Sequence, residues 1–358
     1  MRVWITFRIF AFKHVQKMKK KVLIVGAGGF IGGFIAEESL RRGYETYCGV
    51  RATTSRRFLT DERLHFVTLD FDDAPSLATS LRGALPEGEK WDWIVYNLGA
   101  TKCTNFLDFN RINYGYLRSF VAALDEAGMM PERLLYMSSL SALGPGDEKN
   151  YTPLTADTVP DPNTRYGLSK IKAETMLASR PEVPWIVFRP TGVYGPHEQD
   201  YLMMVKCIDR HFDFGVGMKK QMLTFIYVED LARAVFDALE RAPIHKAYII
   251  SEPRAYTQEE FRAIVAELLG RKFVVPVRLP LWCAKVVSDV AERIGRVRMK
   301  PSTLNSDKFK IMKQRNWACD IAESVKAFGF SPRVDLRTGM AEVIRSWRES
   351  SRKGGGKC

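Results

Sequence analysis

The chain has few cysteines, and none of them is arranged as a metal site or a disulfide framework requires. Its 358 residues include six cysteines, with no Cys-x-x-Cys and no paired spacing. Structural zinc sites and small secreted folds depend on such spacings. The sequence therefore argues against a metal site and against a disulfide-stabilised secreted protein. A reducing cytoplasm is the compartment that fits it best.

A long apolar run is missing from the N-terminus. The first twenty residues, MRVWITFRIFAFKHVQKMKK, are apolar and basic, but Arg8 and Lys13 interrupt them. A membrane-spanning helix needs about 20 apolar residues, and a signal peptide needs a clean apolar core before a small-residue cleavage site. We interpret residues 1–20 as an extension produced by an upstream start, because Met18 directly precedes KKKVLIVGAGG. Peripheral membrane contact is the alternative interpretation.

Nucleic-acid motifs are missing as well, although the chain is basic. Lys and Arg number 54 against 41 Asp and Glu, which gives a net charge of +13. The basic clusters at residues 51–57, 308–315 and 352–357 are scattered, and no helix-turn-helix, zinc finger or RNP-like motif accompanies them. The sequence predicts no nucleic-acid function. Such a charge is expected to attract anionic small molecules or membrane surfaces.

The chain does contain alternating strand-like and helix-like segments. Helices are predicted at 31–42, 106–127, 166–177 and 336–347, and strands at 22–25, 46–50, 65–69, 93–96, 134–137 and 185–188. Such alternation predicts an α/β fold with a doubly wound parallel sheet. We expect a dinucleotide-binding domain at 21–195 and a smaller, mostly helical substrate-binding region at 196–350 that is interleaved with the sheet. Residues 351–358 are expected to form a flexible tail.

A glycine-rich turn follows the first predicted strand. In KVLIVGAGGFIGGF, Gly26, Gly29 and Gly32 are spaced three apart, and Phe30 and Ile31 stand before the last of them. This differs from Gly-x-Gly-x-x-Gly, yet it can supply the tight turn, the close approach to a pyrophosphate and the close helix packing of a Rossmann fold. The helix N-terminus would offer free N–H groups to the phosphates.

The acidic residue that would select NAD is replaced by a basic residue, an arginine. Sites for NAD usually carry Asp or Glu about 20 residues after the glycines, where it bonds the adenosine ribose. Here Arg51 occupies that position, in VRATTSRR. A guanidinium can bind a 2′-phosphate through two hydrogen bonds, so NADP is preferred and NAD is the alternative.

Further motifs occur in a fixed order along the chain. They are Asp70-Phe71, NLGATK, Asn113, YMSSLSALG, Tyr166-x-x-x-Lys170 and RPTGVYGP. From about Lys21 to Trp347 the chain resembles an extended short-chain dehydrogenase/reductase of the NAD-dependent epimerase/dehydratase family. LTFIYVEDLA and the later sequence resemble 3β-hydroxysteroid dehydrogenases and dihydroflavonol-type reductases.

The resemblance implies roles for individual residues. Ser139, Tyr166 and Lys170 match the family's catalytic positions, and Lys170 would also bond the nicotinamide ribose. The cofactor would be contacted at the adenine, at its centre and at the nicotinamide by Asp70, Phe71, Leu98, Gly99, Ala100, Lys102, Asn113, Pro190 and Val193. Family members often form homodimers through a helix pair, so a homodimer is one expectation here.

The Tyr166–Lys170 spacing suggests how the tyrosine could work at neutral pH. Lowering the pKa of a phenol from about 10 to 7 requires roughly 4 kcal/mol. A cation about 4 Å away supplies roughly that amount at an effective dielectric constant near 20. We therefore expect Lys170 to lower the pKa of Tyr166.

Three functions remain open. The preferred one is an oxidoreductase that interconverts a secondary alcohol and a ketone on a small, apolar substrate. A nucleotide-sugar 4-epimerase or dehydratase is the alternative, but Leu223 stands where those relatives usually carry a phosphate-binding arginine, which Lys219 or Lys220 could replace. A dinucleotide-binding protein without activity is disfavoured by the complete catalytic set.

One apolar stripe lies late in the chain. Leu281, Trp282, Val286, Val287 and Val290 are spaced like one face of a helix. Such stripes usually pack into a core, and this is the interpretation we prefer. A lid over an apolar substrate or a membrane-facing patch is the alternative.

Overall fold

The structure is a computed structural model that describes residues 19–103, 105, 107–297 and 306–354. The extension at 1–18, the residue Phe106 that opens one predicted helix, and the end of the tail lie outside these residues. Thirteen strands are described: β1 Lys21–Val25, β2 Glu45–Val50, β3 His65–Thr68, β4 Trp93–Tyr96, β5 Arg133–Met137, β6 Trp185–Pro190, β7 Gly192–Tyr194, β8 Phe212–Val216, β9 Met222–Leu223, β10 Phe225–Tyr227, β11 Lys246–Ile250, β12 Tyr256–Thr257 and β13 Val275–Leu279.

Twelve α-helices are described over the same residues. They are α1 Phe30–Arg41, α2 Ala74–Gly83, α3 Leu107–Asn110, α4 Tyr116–Ala127, α5 Arg165–Ala178, α6 Asp200–Asp209, α7 Val228–Arg241, α8 Gln258–Leu269, α9 Leu281–Val297, α10 Ser306–Lys313, α11 Ala322–Phe328 and α12 Leu336–Gly354. The helix predicted at 106–127 is broken, because a π-helical turn at Arg111–Gly115 separates α3 from α4.

Seven parallel strands form the central sheet, in the order β11-β6-β5-β4-β1-β2-β3. The chain starts at β1, moves outward to β3, and then returns to build the other half from β4. The strand order therefore reverses between β1 and β4, and the carboxyl ends of these two strands open the crevice where such sheets bind ligands. The predicted α/β fold, a doubly wound parallel sheet with a mostly helical C-terminal region, is confirmed.

Both faces of the sheet are buried, as expected for parallel strands flanked by helices. Alternate residues of β1 point to opposite sides: Val22 and Ile24 join one core cluster, whereas Leu23 and Val25 join the other. The first cluster lies under α1 and α7, and the second under α2, α4 and α5. The sheet thus holds its strand ends rigidly around the crevice.

A third core cluster lies in the later part of the chain and contains Tyr194, Phe225, Phe261 and Met340. The strand β11 also comes from this part, yet it forms an edge of the central sheet beside β6. Within the described residues, no helix is both long and apolar enough to cross a membrane.

The preferred interpretation of the late apolar stripe is wrong. The stripe does form a helix, α9, but its residues do not pack into a core. Trp282 is 72% exposed, Val286 55% and Val290 50%. Among the residues of α9 up to Arg293, the buried ones are instead the small residues Ala284 and Ser288.

Candidate active site

The glycine turn joins β1 to α1 at the crevice. Gly26 has φ +84°, a backbone conformation that residues with a side chain rarely adopt. A Cβ at this position would lie 2.9 Å from the main-chain N of Leu98. A Cβ on Gly32 would collide with the carbonyl of Gly26 and come within 2.8 Å of Ala27 Cα. These glycines therefore let two main-chain segments and α1 approach closely.

The start of α1 has free hydrogen-bond donors. Its N-cap residue, Gly29, makes no side-chain capping hydrogen bond, and the adjacent residues Phe30 and Ile31 form the first turn. The first N–H groups of a helix have no partner within the helix, and they carry a partial positive charge. The turn can therefore hold a pyrophosphate, as the glycine spacing predicted.

The loop after β2 lies against this turn. A Cβ on Gly28 would collide with the Thr54 side chain and lie 3.2 Å from the Ser55 carbonyl oxygen. Arg51 begins the loop, its side chain is exposed, and it has no ion-pair partner among the described residues. Arg56 and Arg57 instead stack over the rings of Phe66 and Phe58, at 4.1 and 4.3 Å.

Asp70 and Phe71 follow β3 at the same edge of the sheet. The Asp70 carboxylate accepts a hydrogen bond from the main-chain N–H of Asp72, at 3.0 Å. The ring of Phe71 is buried and packs 5.3 Å from the ring of Tyr116. Any contact of Phe71 with an adenine would therefore come from its main chain.

The segment after β4 is fixed by Asn113. The Asn113 amide accepts from the Ala100 N–H at 2.8 Å and donates to the Ala100 carbonyl at 3.0 Å. The π-helical turn that carries Asn113 places this buried amide beside Gly99, where a Cβ would lie 3.1 Å from Asn113 Oδ1 and 3.0 Å from Lys170 Nζ. Gly99 thus leaves room for both side chains.

The three predicted catalytic residues come together after β5. Tyr166 and Lys170 lie one turn apart on α5, which begins at the N-cap Thr164. Ser139 precedes a short 3-10 turn at Leu140–Ala142, and Gly167 allows this turn to pack on α5. The ammonium of Lys170 is buried, donates to the Met137 carbonyl at 2.8 Å and lies 5.9 Å from the centre of the Tyr166 ring.

The expectation that Lys170 lowers the pKa of Tyr166 is wrong for this arrangement. Burial raises the pKa of Tyr166 to about 12, although a hydrogen bond with Ser139 acts in the opposite direction. Burial also lowers the pKa of Lys170 to about 7, against the attraction of Glu174. Because desolvation penalises the charged form of both groups, the lysine is only partly protonated at neutral pH and cannot stabilise a phenolate fully.

Sequence reasoning missed the residues that support Lys170. Glu174 lies one further turn along α5, and its buried carboxylate accepts a hydrogen bond from Ser138. It also forms an ion pair with Arg189 of β6, at 2.6 Å. The four-residue spacing from Lys170 to Glu174 could have predicted that these two side chains are neighbours on a helix. The pairing of Glu174 with Arg189 could not be predicted from the sequence.

The predicted nicotinamide end lies where β6 gives way to β7. Pro190 is the last residue of β6, beside Ile250, and Val193 is half-buried against the first core cluster. Lys102, expected near the centre of the cofactor, forms an ion pair with Asp200 at 2.6 Å. Lys308 pairs with the same carboxylate at 3.0 Å.

An open groove of about 680 Å³ lies along the outer side of α5, lined by Phe109, Tyr114, Leu168, Lys172 and Met176, among others. None of the predicted catalytic side chains lines it. The candidate active site is therefore the crevice at the carboxyl ends of β1, β4 and β5, and not this groove.

Known proteins resemble this chain over nearly its whole length. Ceramide reductase of Caulobacter vibrioides is 24% identical, with 91% of this chain and 94% of the relative covered. Human sterol-4-alpha-carboxylate 3-dehydrogenase, decarboxylating, is 23% identical, with 94% and 91% covered.

A solved structure shows the same fold. DesIV, a dTDP-glucose 4,6-dehydratase from Streptomyces venezuelae crystallised with NAD, superposes with a TM-score of 0.74 at 19% identity, over 93% of this chain and 98% of that one.

The family itself is identified by a match to more than half of the chain. The sequence model of the NAD dependent epimerase/dehydratase family matches residues 22–251, which run from β1 to the residue after β11. The chain therefore belongs to this family of extended short-chain dehydrogenase/reductase enzymes, as its motifs predicted.

Proposed function

We propose that this enzyme uses NADP(H) to interconvert a secondary alcohol and a ketone on a small, apolar substrate. The observation that carries the proposal is the assembly of Ser139, Tyr166 and Lys170 at the crevice, next to the glycine turn. Such a set can hold a carbonyl oxygen and move a proton to or from it. The dinucleotide, when bound, supplies or takes up the hydride.

Each side chain has a distinct part. Ser139 holds the carbonyl oxygen by a hydrogen bond, and Tyr166 donates the proton during reduction or takes it during oxidation. Lys170, fixed by the Met137 carbonyl, positions the ribose. Asn113 keeps the main chain at Ala100 in place beside them.

The preference for NADP rests on Arg51. Its exposed guanidinium has no ion-pair partner among the described residues, and its loop packs on the glycine turn that would hold the pyrophosphate. A 2′-phosphate at this edge would receive charge-assisted hydrogen bonds from Arg51. No carboxylate occupies the position that usually bonds the 2′-hydroxyl of NAD.

The apolar substrate is supported by two features. Leu223 takes the place of the phosphate-binding arginine, and in the structure it pairs with Tyr256 in the β9–β12 ribbon. The two relatives named above act, by their names, on a ceramide and on a sterol carboxylate. Both are largely apolar molecules that carry an alcohol or ketone.

Binding and turnover test the proposal together. Titration with NADPH and NADH should show tighter binding of NADPH, and Arg51→Ala should weaken NADPH binding about 10- to 100-fold, since bonds to charged groups contribute about 1.5–3 kcal/mol. Arg63→Ala, which removes an exposed base paired with Asp61, is the matched control. Tighter binding of NADH by the unaltered protein would overturn the choice of NADP.

A substrate panel then separates the two candidate reactions. We expect NADPH oxidation with long-chain, sterol or flavanone ketones. A nucleotide-sugar 4-epimerase or dehydratase is the second candidate, favoured by the likeness to DesIV. Cofactor that stays bound through purification, with turnover of a UDP- or dTDP-sugar and no net NADPH consumption, would establish it instead.

A further inference from the structure

Helix α9 carries large apolar side chains on the side that faces away from the protein. Trp282, Val286 and Val290 follow one another at four-residue spacing, so they span only about 80° of the helix surface. The buried residues Ala284 and Ser288 each lie two positions from Val286, about 160° around the helix. Core packing therefore accounts for the small residues of α9 and leaves the large ones unexplained.

A two-stranded ribbon next to α9 is apolar on its outer side too. Phe212 and Phe214 of β8 are exposed, and their rings stack with centres 6.0 Å apart. Val275 of β13 lies directly opposite Phe212 in the parallel pairing. Charged residues usually cover an exposed strand, so three apolar side chains on one side indicate that something contacts them.

The helix and the ribbon meet at a turn. β13 leads into α9 through Pro280, and Gly217, just after β8, lies next to the Leu281 side chain. Met218 in this turn is 78% exposed. We call the combined surface the α9–ribbon surface and define it as Phe212, Phe214, Met218, Val275, Leu281, Trp282, Val286 and Val290.

The charges around this surface are mainly positive. Three acidic residues of the same elements and their neighbours are paired with a base: Asp209 with Arg271, Asp213 with Arg278 and Asp289 with Lys285. The remaining acid of α9, Glu292, accepts a hydrogen bond from the Ser306 N–H at 3.0 Å. Arg210, Lys219 and Lys272 have no ion-pair partner among the described residues. The apolar surface is thus bordered by bases whose charge nothing nearby offsets.

We propose that the α9–ribbon surface rests on an anionic lipid bilayer. Helix α9 has 17 residues and contains Lys285 and Asp289, so it would lie in the plane of the interface. Aromatic side chains such as Trp282 and Phe214 suit the headgroup level, and the bordering bases would attract anionic lipids. A second copy of the chain fits less well, because a two-fold contact would bring the same bases together.

Vesicle binding by the full chain tests the proposal without any assay of turnover. Co-sedimentation with phosphatidylcholine vesicles, with and without phosphatidylserine, should show binding that depends on the anionic lipid and weakens in high salt. Trp282→Glu and Val286→Glu should lower partitioning about tenfold or more, since each replaces buried apolar area with a charge. Lys219→Glu and Lys272→Glu should each lower it about fivefold or more.

The matched control is Val325→Glu, an exposed valine on α11 that is outside the α9–ribbon surface. Thermal unfolding of each variant with and without NADP shows whether the fold is kept, because a folded variant should still be stabilised by the dinucleotide. Brominated lipids should quench the fluorescence of the unaltered protein more than that of Trp282→Phe, because Trp282 is the residue expected at the headgroups.

Two results would overturn the proposal. One is absence of vesicle binding, or binding that Trp282→Glu leaves equal to that of Val325→Glu. The other is lipid-free self-association that Trp282→Glu abolishes, which would make the surface a contact between copies of the chain. Because dinucleotide binding is measured separately, failure here leaves the proposed reaction standing.

Discussion

At the scale of single residues, the half-buried Tyr166 and the buried Lys170 stand side by side and their pKa values shift in opposite directions. Burial raises the pKa of Tyr166 to about 12 and lowers that of Lys170 to about 7. At neutral pH Tyr166 is therefore held neutral and can donate a proton, whereas Lys170 is only partly protonated. The arrangement favours reduction near neutral pH, where the tyrosine carries the proton that the carbonyl oxygen needs.

Removal of the phenol should stop the reaction and spare the binding of cofactor. Tyr166→Phe is expected to lower kcat about 100- to 10,000-fold, the usual contribution of a positioned acid. NADPH affinity should change little, whereas Lys170→Ala should weaken it. Tyr114→Phe, the same change at a half-buried tyrosine of the neighbouring π-helical turn, should behave like the unaltered enzyme. Equal loss of NADPH binding in Tyr166→Phe and Lys170→Ala would contradict these roles.

Lys170 should make the fold less stable in neutral and acidic solution. Its pKa falls from 10.5 to about 7 on folding, so the folded state disfavours the charged lysine. The resulting decrease in the free energy of unfolding is largest below pH 7. It becomes smaller as the pH rises toward 10.5, where the lysine of the unfolded chain also loses its proton. The titratable groups that face Lys170 are Glu174 on the same helix, Tyr166, and Tyr136 of β5, whose ring centre lies 5.0 Å from the lysine Nζ.

Lys170→Met is therefore expected to be more stable than the unaltered protein, by a margin that shrinks with pH. One pKa unit corresponds to about 1.4 kcal/mol, so the gain at pH 6 should exceed the gain at pH 9 by about 2–3 kcal/mol. Urea unfolding at the two pH values measures it. Lys172→Met, an exposed lysine on the same helix, should show no such trend. A gain that grows with pH would show that the lysine is charged in the folded state.

At the scale of elements, the local patterns were predictable and the long-range contacts were not. Strands β1 to β6 lie within two residues of their predicted bounds, because each is a short apolar run with turns at its ends. Tyr166 and Lys170 were found because a helix brings residues four apart together. Glu174 lies on helix α5 and its partner Arg189 on strand β6, so no local pattern points to their pairing.

Helix α9 shows a second limit. The spacing of its apolar residues predicted an apolar face, but spacing alone does not tell whether protein, lipid or water covers that face. The prediction of core packing failed for this reason. The π-helical turn that holds Asn113 was also missed, since its sequence, RINYG, continues the helical pattern on both sides.

The buried ion pair between Glu174 of α5 and Arg189 of β6 should tolerate the replacement of both residues but not the loss of one of them. Arg189→Met leaves the Glu174 carboxylate buried with only Ser138 as a side-chain partner, and such a loss costs about 3–5 kcal/mol. Replacement of both residues by Met should recover most of it. Urea unfolding provides the measurement, and Lys246→Met is the control.

Lys246 lies on the adjacent strand β11 and pairs with Glu323 at 3.3 Å, with both side chains exposed. Its loss should cost less than about 1 kcal/mol. If Arg189→Met were as mild as Lys246→Met, the Glu174–Arg189 ion pair would not contribute to stability in the way proposed here.

At the scale of the whole molecule, the C-terminal helix supports the edge of the candidate active site. Tyr194, which ends β7, donates from its hydroxyl to the Asp335 carbonyl at 3.1 Å, just before α12. The start of α12 is held in turn by Asp230 of α7, whose carboxylate accepts from the N–H groups of Arg333 and Val334 at 2.9 and 2.8 Å. The division of the chain at residue 195 stays a prediction, but these contacts couple the parts on either side of it.

Loss of the Asp230 carboxylate should loosen α12 before it affects the sheet. Asp230→Ala removes two main-chain hydrogen bonds and the ion pair with Arg233, so residues 333–347 should exchange amide hydrogen faster while β5 keeps its protection. Asp237→Ala, on the same helix but paired with Arg42, is the control and should leave 333–347 unchanged. Because Val193 and Tyr194 lie at the predicted nicotinamide end, KM should rise in Asp230→Ala more than kcat falls. Equal acceleration of exchange in β5 and α12 would instead mean that Asp230 stabilises the molecule as a whole, with no separate effect on the site.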